Sequence, residues 1–109
     1  MTTKLKVLGQ SNPTANILTT VYTVPNANTA VVSTVTVCNT GTNNATASIA
    51  VQPANAAIST KHYVAFNITV PSYDTVYLTM GIGIDATDVI SANVSTANIA
   101  VGVFGTEVF

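Results

Sequence analysis

The side chains that could support catalysis are few and far apart. His62 is the only imidazole, and the carboxylates are limited to Asp74, Asp85, Asp88 and Glu107. A single imidazole excludes metal sites that need several histidines. A nucleophilic triad would have to join His62 to an unassigned serine and a distant aspartate, so we interpret His62 as a polar residue at a strand end. These residues predict a protein that is not an enzyme and that holds no metal or cofactor.

Three further groups have both a chemical and a structural interpretation. Asp85 and Asp88 could contribute to a Ca²⁺ site, but an Asp-Ala-Thr-Asp loop more often caps its own turn. Cys38 lies in a Val-rich stretch, which predicts a buried, inert thiol. The four tyrosines leave open a sugar-binding face on a β-protein; they are Tyr22, Tyr63, Tyr73 and Tyr77.

The composition indicates a neutral surface. Only 6% of the residues are charged and the net charge is −1, whereas about a quarter of an ordinary globular protein is charged. We expect much of this surface to be covered by partners, the alternative being a neutral monomer kept soluble by hydroxyl and amide groups. Three lysines without any arginine make no basic patch, which argues against nucleic-acid and membrane partners.

Alternation of apolar and polar residues predicts strands along the whole chain. The central one is Thr29–Gly41, with Val31, Val35 and Val37 on its inner side. We expect it to form a hairpin with Ile17–Val24 through the loop at residues 25–28. The other predicted strands are Lys4–Val7, Ala45–Gln52, Lys61–Val70, Tyr73–Met80, Asp88–Val94 and Asn98–Val108.

The pattern also predicts two connecting segments and the inner face of the strand Lys61–Val70. Ala54–Thr60 is predicted as a loop, and the glycine-containing residues 81–87 as a flexible crossing. In Lys61–Val70 the inner side chains are predicted to be Val64, Phe66, Ile68 and Val70. About eight short strands without a convincing helix are typical of an all-β fold, a single antiparallel β-sandwich of jelly-roll or Ig-like type covering residues 1–109.

The N-terminal residues 1–10 are predicted to be an arm or an edge strand. They carry two of the three lysines and precede a loop broken by Pro13. An exposed strand can pair with a neighbouring chain, so this segment is the candidate partner-binding site. Its residues are Lys4, Leu5, Lys6, Val7 and Leu8.

The order of several short motifs resembles that of small β-sandwich virion structural proteins of tailed phages, especially phages of cyanobacteria. The similarity spans nearly the whole chain, and no single motif in it is specific. The motifs are Leu8-Gly9-Gln10 with Pro13, Tyr22-Thr23-Val24-Pro25, Val37-Cys38-Asn39-Thr40-Gly41, Lys61-His62-Tyr63, Ala86-Thr87-Asp88-Val89-Ile90-Ser91 and Phe104-Gly105-Thr106-Glu107.

This resemblance implies a function that the residues alone do not give. The chain would be a capsid decoration (cement) protein, made in the host cytoplasm, that binds the outer capsid shell of the virion and stabilises it. Its partners would be the major capsid protein, copies of itself, or both. The alternative is a tail-fibre, baseplate or head-fibre module that binds a host surface glycan. The resemblance carries over no catalytic residue.

Overall fold

Strands occupy most of the chain, as the alternating patterns predict. The computed structural model describes residues 2–109. Its strands are β1 Thr3–Ser11, β2 Thr19–Thr23, β3 Thr29–Asn39, β4 Ala45–Gln52, β5 Tyr63–Val70, β6 Thr75–Ile84, β7 Val89–Val94 and β8 Ile99–Val108. The bounds of β4 are those predicted. Within residues 2–109, no helix has the length and apolar character needed to cross a membrane.

The eight strands form two antiparallel sheets of four. Sheet 1 has the strand order β1-β8-β3-β6 and sheet 2 has the order β2-β7-β4-β5. The fold is thus the predicted β-sandwich, and this order is that of a jelly roll rather than of an Ig domain. The predicted hairpin between β2 and β3 is wrong. These strands belong to different sheets because the chain crosses between the sheets at residues 24–28.

The core lies between the sheets and consists mostly of β-branched side chains. Val35 and Val37 of β3 and Val103 of β8 line it from sheet 1, and Ile49 and Ile90 line it from sheet 2. All five are essentially inaccessible to solvent. Alternating inward side chains from two packed sheets fill such a layer, which explains why the period-2 pattern predicted the fold class.

At two local irregularities, side chains lie on the face of the sheet opposite to the one that strict alternation predicts. In β3 the alternation slips at Ser33, so that Val32 and Val35 are buried whereas Val31 is exposed. In β5 the backbone turns left-handed at Asn67, with φ of 49°. The prediction that Phe66 faces the core is therefore wrong, since this side chain is 63% exposed. A bulge inserts one residue into the alternation and so transfers every residue on one side of it to the other face.

The break in alternation at Asn67 also affects Val64, which is exposed rather than buried. Beyond Asn67, the side chains of Ile68 and Val70 point inward as predicted.

Three other predictions are corrected. Cys38 is partly exposed rather than buried. The predicted flexible crossing at residues 81–84 belongs to β6, where Val31 pairs with Gly83 and Val32 with Ile82. The predicted loop at Ala54–Thr60 contributes to two short 3₁₀ turns, Pro53–Asn55 and Thr60–His62.

The inverted face of β5 leads to a paired stability prediction. Ile49→Ala should lower the free energy of unfolding by about 2–5 kcal/mol, because it leaves a cavity in the core. Phe66→Ala should cost less than about 1.5 kcal/mol, since Phe66 only packs edge-on against Tyr63 at the surface. Denaturant titration of both variants measures the difference. Equal losses would contradict the outward orientation of Phe66.

Candidate functional site

His62, the only imidazole, is held inside a tight turn. Its Nδ1 accepts a hydrogen bond from the Ser59 backbone N–H at 3.0 Å, and its own backbone is bonded back to Ser59. The neutral ring consequently carries its proton on Nε2. The ring is buried, and the contacts just described fix the start of β5. His62 thus lies at the strand end that its position predicts, with its Nδ1 engaged in the turn.

The Asp85–Asp88 loop uses its carboxylates to hold backbone N–H groups. Asp88 Oδ1 accepts from Ala54 N at 2.8 Å, Asp88 Oδ2 accepts from Asp85 N, and Asp85 Oδ1 accepts from Ala86 N. This is the turn-capping arrangement that the sequence favoured over a Ca²⁺ site. In the part of the chain from residue 2 onward, no three His, Cys, Asp or Glu side chains lie close enough to hold a metal ion.

A buried hydrogen bond between Tyr22 and Glu107, with the exposed Lys6 beside it, joins the two sheets near one edge. The Tyr22 hydroxyl on β2 donates to Glu107 Oε2 on β8 at 2.7 Å, and Lys6 Nζ on β1 lies 3.6 Å from Glu107 Oε1. Burial, reinforced by the hydrogen bond to Glu107 and by its charge, raises the pKa of the Tyr22 hydroxyl above its ordinary value. The hydroxyl therefore stays protonated and can keep donating to the carboxylate.

Removing this hydroxyl should weaken the protein. Tyr22→Phe leaves a buried carboxylate oxygen without its donor, which we expect to lower the free energy of unfolding by about 1.5–3 kcal/mol. Tyr77→Phe, at a tyrosine that is 70% exposed, is the matched control and should change stability by less than about 0.5 kcal/mol.

The raised pKa of Tyr22 also predicts a pH dependence. The folded state holds the Tyr22 hydroxyl proton more tightly than the unfolded state does. The contribution of this hydroxyl to the free energy of unfolding is therefore complete below the ordinary tyrosine pKa of about 10, and it is lost as pH rises above that value. Unfolding titrations between about pH 8 and 11 should show a smaller alkaline loss in Tyr22→Phe. An equal alkaline loss of stability in the wild type and in Tyr22→Phe would show that Tyr22 does not cause the pH dependence.

The predicted partner-binding segment lies in β1, at the edge of sheet 1. Of the two predicted alternatives, the structure has the edge strand, because β1 pairs with β8 from Thr3 to Ser11. Lys4, Leu5, Lys6 and Val7 are exposed, whereas Leu8 packs into the core at a bulge and is unavailable to a partner.

Half of the β1 backbone groups point away from the sheet. Thr2 and Phe109 exchange both of their backbone hydrogen bonds. Antiparallel pairing alternates between bonded and non-bonded pairs. The N–H and C=O groups of Thr3, Leu5 and Val7 therefore face the open edge, where an added strand could pair with them.

The outer face of sheet 1 continues from this edge as an uncharged surface of apolar and threonine side chains. Two cross-strand rows run over it from β1 to β6; they are Leu5–Thr106–Val31–Gly83 and Val7–Phe104–Thr34–Thr79. Leu5 is 81% exposed, and Val7 and Val31 are also exposed. We call these two rows, with the β1 edge, the sheet 1 surface.

The two rows of the sheet 1 surface contain no charged residue, whereas its β1 edge carries Lys4 and Lys6. Lys4, Lys6 and Glu107 occupy the alternate positions of β1 and β8. Lys61 lies in a 3₁₀ turn, and the aspartates lie in the connections before and after β6. The low charge content of the sequence is thus concentrated in turns and along one edge.

The sequence indicated Leu5 and Val7 of this surface but missed Val31 and Phe104. The alternation predicts Val31 in the core, because the slip at Ser33 has no clear signal in the residue pattern. The sequence indicates Phe104 only as part of the motif Phe104-Gly105-Thr106-Glu107. Cys38 also lies on the outer face, paired with Thr75 and Ala100.

The four tyrosines do not form one platform. Tyr22 is buried between the sheets, Tyr63 lies on β5 in sheet 2, Tyr77 lies on β6 in sheet 1, and Tyr73 lies in the turn between these strands. The predicted alternative of a tyrosine-lined sugar face therefore has no single surface on which to form.

Comparison with known proteins gives a distant structural similarity. No protein-family model and no curated protein matches the sequence. A crystal structure of a pentameric capsid protein isolated from metagenomic phage sequences aligns with 97% of this chain, at 18% identity and a TM-score of 0.33. The chain spans 61% of the length of that protein. We therefore base the function on the geometry of the chain itself.

Proposed function

We propose that this protein is a non-enzymatic structural protein of a phage virion, a decoration protein that binds the outer capsid shell and stabilises it. The sheet 1 surface is its docking surface. The observation that carries this proposal is a sheet face that combines exposed apolar side chains with no charge.

Such a surface favours a protein partner. Side chains such as Leu5 and Val31 gain about 25 cal/mol per Å² of apolar area when a partner covers them. The open edge of β1 adds backbone groups that a neighbouring strand can pair with. Neither contribution needs charge complementarity, which matches the composition of the chain.

Repetition compensates for a small individual contact. A capsid shell presents the same surface many times, so modest affinities suffice when contacts with the shell and with neighbouring copies act together. Lys4 and Lys6 lie within β1, the docking strand, and would help to set the register of an added strand, while the apolar side chains supply most of the free energy of binding.

Binding by apolar contacts predicts little dependence on salt. Attachment of the purified protein to particles that lack it should change little between roughly 0.05 and 0.5 M salt, where exposed ion pairs weaken markedly. The sheet 1 surface contains Val31 of β3, so a thiol at this position reports directly on docking. Maleimide should label a Cys38→Ser, Val31→Cys variant more slowly in the attached protein than in the free protein. Unchanged labelling, or release of the wild-type protein at high salt, would contradict docking through sheet 1.

A charge placed in the middle of the surface should prevent attachment. Val31→Lys should weaken binding at least tenfold, because the ammonium group must lose its water against an apolar partner. Thr69→Lys, at an exposed position on β5 of the other sheet, is the matched control and should bind normally. Equal binding of both variants, measured by co-sedimentation with particles, would exclude sheet 1.

The number and position of copies separate this function from the tail alternative. Decoration requires many copies spread over the shell, and particles without the protein should leak at a lower temperature. A few copies at one vertex or along the tail would favour a fibre or baseplate module that binds a host glycan.

A further inference from the structure

A cleft of about 420 Å³ opens at one end of the sandwich, between the end of β4, the start of β5 and the end of β6. Its apolar walls are Val51, Pro53, Ala56, Val64 and Ile82. The volume lies in the range of sites that hold a small molecule or a large side chain.

Lys61 gives this apolar cleft a positive charge, and His62 gives it a second hydrogen-bond donor. Lys61 and His62 belong to its lining, and no acidic residue does. Lys61 is exposed and takes no part in the Lys6–Glu107 ion pair, the one ion pair within residues 2–109. His62 contributes an Nε2–H, because its Nδ1 is occupied by Ser59. The complementary group is therefore a large apolar side chain with a carboxylate beside it.

The turn between β5 and β6 presents this combination. Tyr73 is 73% exposed, and its chain neighbour Asp74 is exposed as well. The other exposed large apolar side chains on the described part of the chain lack an adjacent exposed carboxylate; Leu5 and Val7, for example, adjoin lysines.

The backbone of this turn is strained. Asp74 N donates to Pro71 O at 3.2 Å, and Tyr73 has φ of 56°, a left-handed conformation that favours glycine at this place in a turn. Seven non-glycine residues of the described chain have a positive φ, and Tyr73 has the largest side chain among them. Within its own chain, Tyr73 leaves most of its side chain in solvent.

A chain cannot fill its own cleft in this way. The turn follows the end of β5, whereas Lys61 and His62 precede its start. An eight-residue strand spans about 25 Å, so the two features lie at opposite ends of the sandwich.

We infer that Tyr73 of one copy inserts into the cleft of a second copy, with Asp74 beside Lys61 of that second copy. The contact is head-to-tail, since each copy offers a turn at one end and a cleft at the other, and it generates a ring or an open row of copies. This inference deepens the proposed function by naming where neighbouring copies meet. It leaves the sheet 1 surface free for the shell.

Sedimentation of the isolated protein over a concentration series tests this contact without any particle. Tyr73→Gly should weaken self-association at least tenfold and leave the melting temperature the same or higher, because glycine adopts the left-handed conformation without strain. Tyr77→Ala removes an equally exposed tyrosine and should leave association unchanged. Monomeric wild-type protein up to about 1 mM, or equal weakening by Tyr77→Ala, would overturn the inference.

A mixing experiment locates the two halves of the contact. Tyr73→Ala keeps the cleft without the inserted side chain, and Lys61→Glu keeps the turn and reverses the charge of the cleft. Each variant alone should be monomeric, and their mixture should form a one-to-one dimer. Thr20→Glu, which adds a carboxylate at an exposed position of β2, is the charge control and should associate like the wild type.

The position of the contact can be read by NMR. In labelled Tyr73→Ala, addition of unlabelled Lys61→Glu should shift resonances of residues 61–64 and of Ile82. Shifts confined to β1 would overturn the inference and assign self-association to the docking strand. Attachment of Tyr73→Gly to particles, at normal or at reduced affinity, would leave the proposed function standing whether or not the copies associate in solution.

Discussion

Burial of the inner side chains between two sheets is the constraint on which the rest of the molecule depends. Val35, Val37, Ile49 and Ile90 are fully excluded from solvent, and neither sheet could bury them alone. Near two borders of the core, buried polar groups form hydrogen bonds that connect the two sheets. At one border the Tyr22 hydroxyl bonds Glu107 across the sheets.

Near another border, Asn39 at the end of β3 makes three hydrogen bonds. Its Nδ2 donates to Asn43 O and to Val70 O, and its Oδ1 accepts from Gly41 N. Val70 belongs to sheet 2, so this buried amide also ties the sheets together. Buried polar groups tolerate little displacement, because each donor or acceptor left without a partner lowers the free energy of unfolding by about 1–3 kcal/mol. These bonds therefore help to fix the register of the sandwich.

The sequence predicted the fold class and most strands, and it failed where the alternation is broken. β4 has the bounds expected from Ala45–Gln52. Val31 and Phe66 were assigned to the wrong face, because the slip at Ser33 and the left-handed Asn67 arise from the fit between neighbouring strands. The assumed hairpin of β2 and β3 failed because a jelly roll pairs strands distant in sequence.

The candidate surfaces were predictable to different degrees. The sequence predicts Leu5 and Val7 as apolar residues of an N-terminal arm or edge strand, so the β1 edge of the sheet 1 surface could be predicted in part. The cleft was not, since Val51, His62 and Ile82 come from separate parts of the chain and meet only in the folded protein. Tyr73 could have been noticed only from its backbone angle, which residue type does not reveal.

Hydrogen exchange of the free and the shell-attached protein tests docking through sheet 1 most directly. The backbone N–H groups of Thr3, Leu5 and Val7 face the open edge of β1 in the isolated chain, so they should exchange fast there. Attachment should protect these amides. Protection confined to sheet 2, with β1 still exchanging fast, would contradict the account.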